Sequence, residues 1–296
     1  MLLLFAELGV EKPLTVHTYR GLRRMLEALG QDRRDPDGQV DASALRRLGL
    51  RDAQIDLILS RLSREGELED HLTVLDRMGI TVLTRISPEY PARLRRTLGD
   101  SAPMLLYCAG NTTLFGTRCV SLVGSRELRP SGRAFAREAG RQAALQGFTY
   151  VSGGASGADS AGFDGTWREG GTAILFLPDS LETRMVRMGH ALRSQSLLLV
   201  SEQGHDLAFS AARAHSRNRL IHAMGEMTLV AQSDYGSGGT WQGTAENLKN
   251  GWSPVFVNNG EPEDRGTRGL VERGCTPISQ EELRDLPTLI EHTVRD

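Results

Sequence analysis

A strand, glycine turn and helix that occur twice in succession between positions 119 and 159 constrain this chain more than any other feature. The stretch opens with Cys119-Val-Ser-Leu-Val-Gly-Ser-Arg-Glu127 and closes with Tyr150-Val-Ser-Gly-Gly-Ala-Ser-Gly-Ala-Asp159. Its apolar runs, 120–123 and 148–151, are short enough to be buried parallel strands. Each runs directly into small residues tolerant of unusual φ: Gly124 and Ser125 after the first, Ser152, Gly153, Gly154 and Gly157 after the second. Between them Ser131 is positioned to cap a helix that carries Phe135, Ala139 and Leu145 and stops at Gly147.

A unit of this kind places both glycine turns at the carboxyl edge of a sheet. Free backbone N–H groups and helix N-termini there can hold a phosphate, and Arg126 stands beside the first turn. The same glycines also serve tight strand-to-helix turns with no ligand at all, and both readings stay open. Beyond Asp159 the alternation continues. Strands are expected at 173–177, 197–200, 227–230, 255–257 and, more weakly, 276–278, with helices near 183–194, 211–224, 240–249 and 268–273. Strands at 80–83 and just after Pro103 precede the unit. Strand and helix in turn predict an α/β fold: a Rossmann-like, doubly wound, mostly parallel sheet covered on both faces.

The first 85 residues read instead as a small helical domain, followed by the Rossmann-like domain over 86–296. Leu22, Met25, Leu26 and Leu29 recur at helical spacing up to Gly30, and 31–40 is a polar loop. Asp41 and Asp52 are candidate N-caps, the latter for a helix burying Ile55, Ile58, Leu59 and Leu62, and a further helix runs through Leu68, Leu72 and Leu75. Leu48-Gly-Leu50 between two short helices fits a helix-hairpin-helix backbone clamp or, more simply, a glycine C-cap.

Two further constellations fall on the same sheet edge. In His215-Ser-Arg-Asn-Arg219, two arginines flank an asparagine where a helix approaches a strand, a pattern suited to clamping phosphates or a base. In Asp234-Tyr-Gly-Ser-Gly-Gly-Thr-Trp-Gln-Gly-Thr-Ala-Glu246, the run from Ser237 through Gly238 and Gly239 to Thr240 forms a third turn of anion-binding character. Trp241 within it is a candidate base-stacking ring, and Glu202, just after a strand, a candidate polar contact. Asp159 and Asp164 do not face one another, so capping or hydrogen bonding suits each better than catalysis. His215 and His222 share a helix face without a third ligand, so no metal is expected. No Walker lysine follows a glycine turn and no nucleophile elbow occurs.

Composition narrows the classes. A formal net charge of −2 does not announce a nucleic-acid or membrane protein, so any DNA contact must come from local clustering. Three cysteines without paired spacing fit a reduced, cytoplasmic chain rather than a disulfide or zinc scaffold. The apolar opening, Met1-Leu-Leu-Leu-Phe5, is too short for a signal sequence or a span.

With these residues in place, the chain resembles the DprA/Smf family of DNA-processing proteins. The likeness runs from about Ile80 to Ile278. It rests on Tyr90-Pro91 with Leu94, Leu105-Leu-Tyr107 with Gly110-Asn111, Val123-Gly-Ser-Arg126 and Ser152-Gly-Gly-Ala-Ser-Gly-Ala-Asp159. Gly170-Gly-Thr172, Ser201-Glu202, Arg217-Asn-Arg219, Ser237-Gly-Gly-Thr240 and Arg265-Gly-Thr267 with Gly274 follow in the family's order. The chain departs from the pattern at Ala158, at Gly162-Phe163 and at Leu177-Pro-Asp-Ser-Leu181, and the likeness does not extend to the family's C-terminal winged helix. The resemblance implies single-stranded DNA as ligand, with Gly124, Ser125, Arg126, Ser152, Gly153, Gly154, Gly157, Arg217, Asn218, Arg219, Ser237, Gly238, Gly239 and Thr240 at the strand or its phosphates. It further implies a RecA-type recombinase as partner, self-association as a homodimer, no cofactor, no catalytic residue and no membrane. The turn over 238–246 is also similar to the phosphate loop of nucleotide phosphoribohydrolases, in which Glu246 would be the acid of an N-glycosidic cleavage. A nucleotide-binding enzyme or sensor is therefore the alternative.

Overall fold

The computed structural model describes residues 42–47, 49–261 and 264–292. The helix expected over 22–29, the loop over 31–40 and the cap at Asp41 lie outside the described residues. Among the described residues the helices α1 (Ala42–Arg47), α2 (Asp52–Leu62) and α3 (Glu65–Arg77) precede the sheet. They bury Leu45, Ile55, Ile58, Leu68 and Leu75 against one face of the sheet. Asp52 opens α2 as its first helical residue while Arg51 occupies the cap position.

Among the described residues the sheet has nine strands: β1 (Ile80–Thr84), β2 (Leu105–Gly110), β3 (Cys119–Val123), β4 (Thr149–Ser152), β5 (Ala173–Phe176), β6 (Leu197–Ser201), β7 (Met227–Val230), β8 (Val255–Asn258) and β9 (Thr276–Ile278). Their spatial order is β1-β2-β6-β5-β4-β3-β7-β8-β9. From β6 to β9 all neighbours are parallel, and β2 on β6 and β1 on β2 are antiparallel. This is the mostly parallel, doubly wound sheet expected from the alternation of strands and helices. Val120 stands between Tyr150 on one side and Met227 on the other. From β3 the chain builds outward through β4, β5 and β6, then returns to continue through β7, β8 and β9. The reversal between β3 and β7 opens a crevice beyond their carboxyl ends.

Helices cover both faces: α4 (Ala92–Leu98), α5 (Pro130–Leu145), α6 (Ala158–Arg168), α7 (Leu181–Arg187), α8 (Gly189–Arg193), α9 (Ala211–Met224), α10 (Gly238–Asn250), α11 (Arg265–Glu272) and α12 (Leu286–His292). Strand residues alternate between the two layers, as the period of two requires. Leu122 and Tyr150 pack with Phe135 and Ala139, whereas Val123, Val151 and Val200 pack with Leu220, Ile221, Trp241 and Leu270.

Three local expectations are corrected. Ser131 does not cap α5: Pro130 is already in its first turn, where its missing N–H costs nothing, and the Ser131 hydroxyl donates to Glu261 instead. The helix expected over 183–194 is two helices that meet at Met188. Helix α10 starts at Gly238, so Trp241 lies inside it, buried and packed against Tyr235 with centroids 5.1 Å apart and the rings tilted by 56°. Trp241 is thus a core residue; Tyr235 is the exposed ring of that pair.

Candidate functional site

The first two glycine turns meet. Ala158 N–H donates to the carbonyl of Ser125 over 3.1 Å, joining the turn after β4 to the turn after β3. This contact requires Gly157: its φ is +80°, and a Cβ there would lie 2.4 Å from the carbonyl oxygens of Ser125 and Arg126. Ser125 N–H in turn donates to the carbonyl of Gln232 beyond β7, over 2.9 Å. Three sheet-edge turns are thereby tied into one wall.

Facing that wall, α9 begins at Ser210, whose hydroxyl accepts the N–H of Arg213 at 3.1 Å. Together with the N-terminus of α10, these elements enclose a cleft of about 990 Å³ over the reversal point. Of the residues singled out in the sequence, Gly124, Ser125, Arg126, Arg217, Asn218, Ser237, Gly238, Gly239 and Thr240 line it. Five others do not. Ser152 is buried and donates to the Leu122 carbonyl at 3.0 Å. Gly157 forms the turn-to-turn contact just described, and Gly154 gives its carbonyl to Arg184 Nη1 at 2.7 Å. Gly153 lies against the Arg217 guanidinium, so closely that a Cβ would come within 1.4 Å of Nη1. Arg219 turns to the other side of α9 and binds Glu202 Oε2 at 2.6 Å, while Ser216 donates to the other oxygen at 2.9 Å.

Arg217 is the centre of the site. It is only 5% exposed, and its Nε has no hydrogen-bond partner among the described residues. Burial pushes the guanidinium below its usual range, and Asp159 and Asp179 oppose that shift. Asp159 is buried as well, and its Oδ2 accepts the N–H groups of Gly153 at 3.2 Å and Ala155 at 3.1 Å. Two donors of the second turn are therefore satisfied from within the protein. Burial raises the Asp159 carboxyl above its ordinary value, and the Arg217 charge works against this.

Arg126 is exposed at the cleft wall, its guanidinium 5.5 Å from the ring of Phe209, a half-exposed aromatic that sequence reasoning missed. Arg129 also borders the cleft but is engaged by Glu261 at 2.9 Å and Asp264 at 2.5 Å. Glu127, Asp159 and Asp234 balance the three arginines, so attraction for an anion here depends on placement rather than on net charge. The N-terminus of the 13-residue α10 adds a partial positive charge to that wall. Glu246, the sequence candidate for an acid, stands outside the cleft lining with its Oε2 3.9 Å from His215. All three thiols are buried and form no disulfide, and burial pushes Cys119 and Cys275 up to about 12. Among the described residues no cluster of His, Cys, Asp or Glu could hold a metal ion, and no helix is long and apolar enough to cross a membrane.

Residues 81–285, more than half of the chain, match the family model described as DNA recombination-mediator protein A. The chain belongs to this family. No curated protein matches it in sequence. Among solved structures it is similar to DNA processing protein A (DprA) from Streptococcus pneumoniae, with 21% identity over 91% of this chain and 97% of that one and a TM-score of 0.68. It is also similar to DNA processing protein A from Helicobacter pylori, a structure described for its single-stranded DNA binding mode. There the identity is 25% over 73% of this chain and 96% of that one, with a TM-score of 0.58. In this DNA recombination-mediator family member the matched segment runs from the second residue of β1 through β9 and includes every turn that builds the cleft.

Proposed function

We propose that the chain binds single-stranded DNA along this cleft and acts as a DprA-type mediator, protecting strands and loading a RecA-type recombinase without performing chemistry. The observation that carries the reading is Arg217: a buried guanidinium with an unpaired Nε, set into a cleft beside the N-terminus of a long helix. A phosphate oxygen in the cleft would pair with the guanidinium by a charge-assisted bond. Arg126, exposed at the rim over Phe209, would take a second phosphate, and Ser237, Gly238, Gly239 and Thr240 would offer backbone and hydroxyl donors. The same reading includes self-association as a homodimer, a cytoplasmic place of action, and a division of the chain into a helical part to residue 85 and a Rossmann-like part from 86.

Polarisation of a labelled poly-dT strand, beside a duplex of equal length, tests it across a salt series. The single strand is expected to bind preferentially and to be released by salt. Arg126→Ala should weaken binding severalfold and flatten the log Kd against log salt slope by about 0.7, the value for one lost phosphate contact on a single strand. Binding by Arg126→Ala with the parent's affinity and slope would remove Arg126 from the site; absence of any strand binding at low salt would end the reading.

A further inference from the structure

One polar side chain at the floor of the cleft is left unused by phosphate contact. His222 is buried on α9, one helical turn beyond Asn218, and borders the cleft. Its tautomer follows from its neighbours. The backbone N–H of Ser253, which can only donate, lies 3.0 Å from Asn247 Oδ1 and so fixes the orientation of that amide. Asn247 Nδ2, a donor only, is then the atom 3.1 Å from His222 Nδ1. Nδ1 must accept, and the imidazole hydrogen sits on Nε2. Burial pushes the ring down to about 3, so it stays neutral across the physiological range.

Asn218 is fixed in the same way. Its Nδ2 donates to the Gly239 carbonyl at 3.2 Å, leaving Oδ1 as a free acceptor. Both side chains meet α10 at Gly243, where a Cβ would stand 3.2 Å from His222 Nε2 and 3.4 Å from Asn218 Nδ2. The cleft floor thus presents a neutral N–H donor and a neutral carbonyl acceptor from adjacent turns of one helix. A phosphate matches this poorly, because it offers acceptors alone and gains most from cations. The edge of a nucleobase, with a donor next to an acceptor, matches it well.

We propose that Asn218 and His222 form a base-edge subsite, which takes one nucleobase of a bound strand while Arg126 and Arg217 hold its phosphates. This rests on the strand-binding reading above and adds a contact that depends on the base. It also gives a role to a histidine that burial keeps neutral in a cleft lined by arginines: it supplies direction rather than charge.

The test compares a single-stranded oligonucleotide with a fully abasic strand of the same length and phosphate number, by polarisation, on the full chain. The parent is expected to bind the abasic strand roughly tenfold more weakly. Asn218→Ala and His222→Phe should cut that ratio at least threefold by weakening the intact strand while leaving the abasic strand unchanged. A packing defect would weaken both strands alike, so the unchanged abasic affinity separates a base contact from a structural role. His222→Phe deprives Asn247 of its acceptor, so Asn218→Ala carries the test if that variant does not fold. Equal binding of both strands by the parent, or a full ratio in Asn218→Ala, overturns the subsite alone. A parent that binds neither strand overturns the strand reading and the subsite with it.

Discussion

Arg217 and Gly153 form the tightest pairing of the site at the scale of single residues. The guanidinium rests on bare backbone, with Asp159 below it holding the turn in place through two N–H groups. A methyl group at position 153 has no room unless the guanidinium moves, and because Arg217 is buried it has little freedom to do so. Gly153→Ala should therefore lower strand affinity roughly tenfold, the worth of one charge-assisted contact, while the protein still unfolds cooperatively. Polarisation and a thermal melt on the same sample check this. Unchanged affinity would mean that the position of Arg217 does not matter for the ligand.

Among the elements, the turns decide the shape of the cleft. The turn after β4 leans on the turn after β3 through Gly157, and the turn after β7 receives the N–H of Ser125. Gly157→Ala combines a φ of +80° with two carbonyl oxygens at 2.4 Å from the new methyl. That combination should cost more than about 2 kcal/mol and lower Tm by roughly 5 °C or more, measurable by calorimetry. A melt within a degree of the parent's would show that the two turns do not depend on one another. At the end of the segment that follows β3, Arg129 ties the start of α5 to Glu261 and Asp264, and Asp264 also caps α11 through the N–H of Thr267 at 2.9 Å.

At the scale of the whole molecule, the cleft opens at the reversal of strand order, where no helix can close over both β3 and β7. With a formal net charge of −2 the protein gains nothing from long-range attraction to a polyanion, and the local arrangement of arginines has to suffice. Stability is coupled to pH through the core network of His222, Thr228, Asn247 and Ser253. Burial pushes His222 down to about 3, whereas an unfolded histidine titrates near its usual 6.5. Above the unfolded value neither state binds the proton and the contribution is fully present. As pH falls below it, the unfolded chain is protonated first, and stability drops by up to about 1.4 kcal/mol per pH unit from this group until the folded value is reached. Urea unfolding from pH 7 to 4.5 should show this loss, and His222→Phe should have a flatter acid limb. Parallel limbs would mean that His222 titrates normally in the folded state.

Much of the fold was legible in local chemistry. The run 227–230 coincides with β7, because a short apolar segment has few alternatives to a buried strand, whereas β9 over 276–278 buries only Ile278 and gave a correspondingly weaker signal. Helix ends were less legible: Gly189, where the two helices divide, is a residue that helices also tolerate in their interior, and Ser131 offers the same hydroxyl whether it caps a helix or sits inside one. Several site residues were visible as types without their directions. Arg217 and Arg219 are two positions apart on α9 and so about 200° apart around its axis; one enters the cleft and the other binds Glu202. The sequence by itself determined that three glycine turns and an arginine-bearing helix would share one sheet edge, because parallel strands in alternation with helices put every such turn on the same side. Only the tertiary structure decided which arginine faces the crevice, which glycines serve contact between turns, and which histidine lies neutral at the floor, because those depend on how each helix is rotated against the sheet.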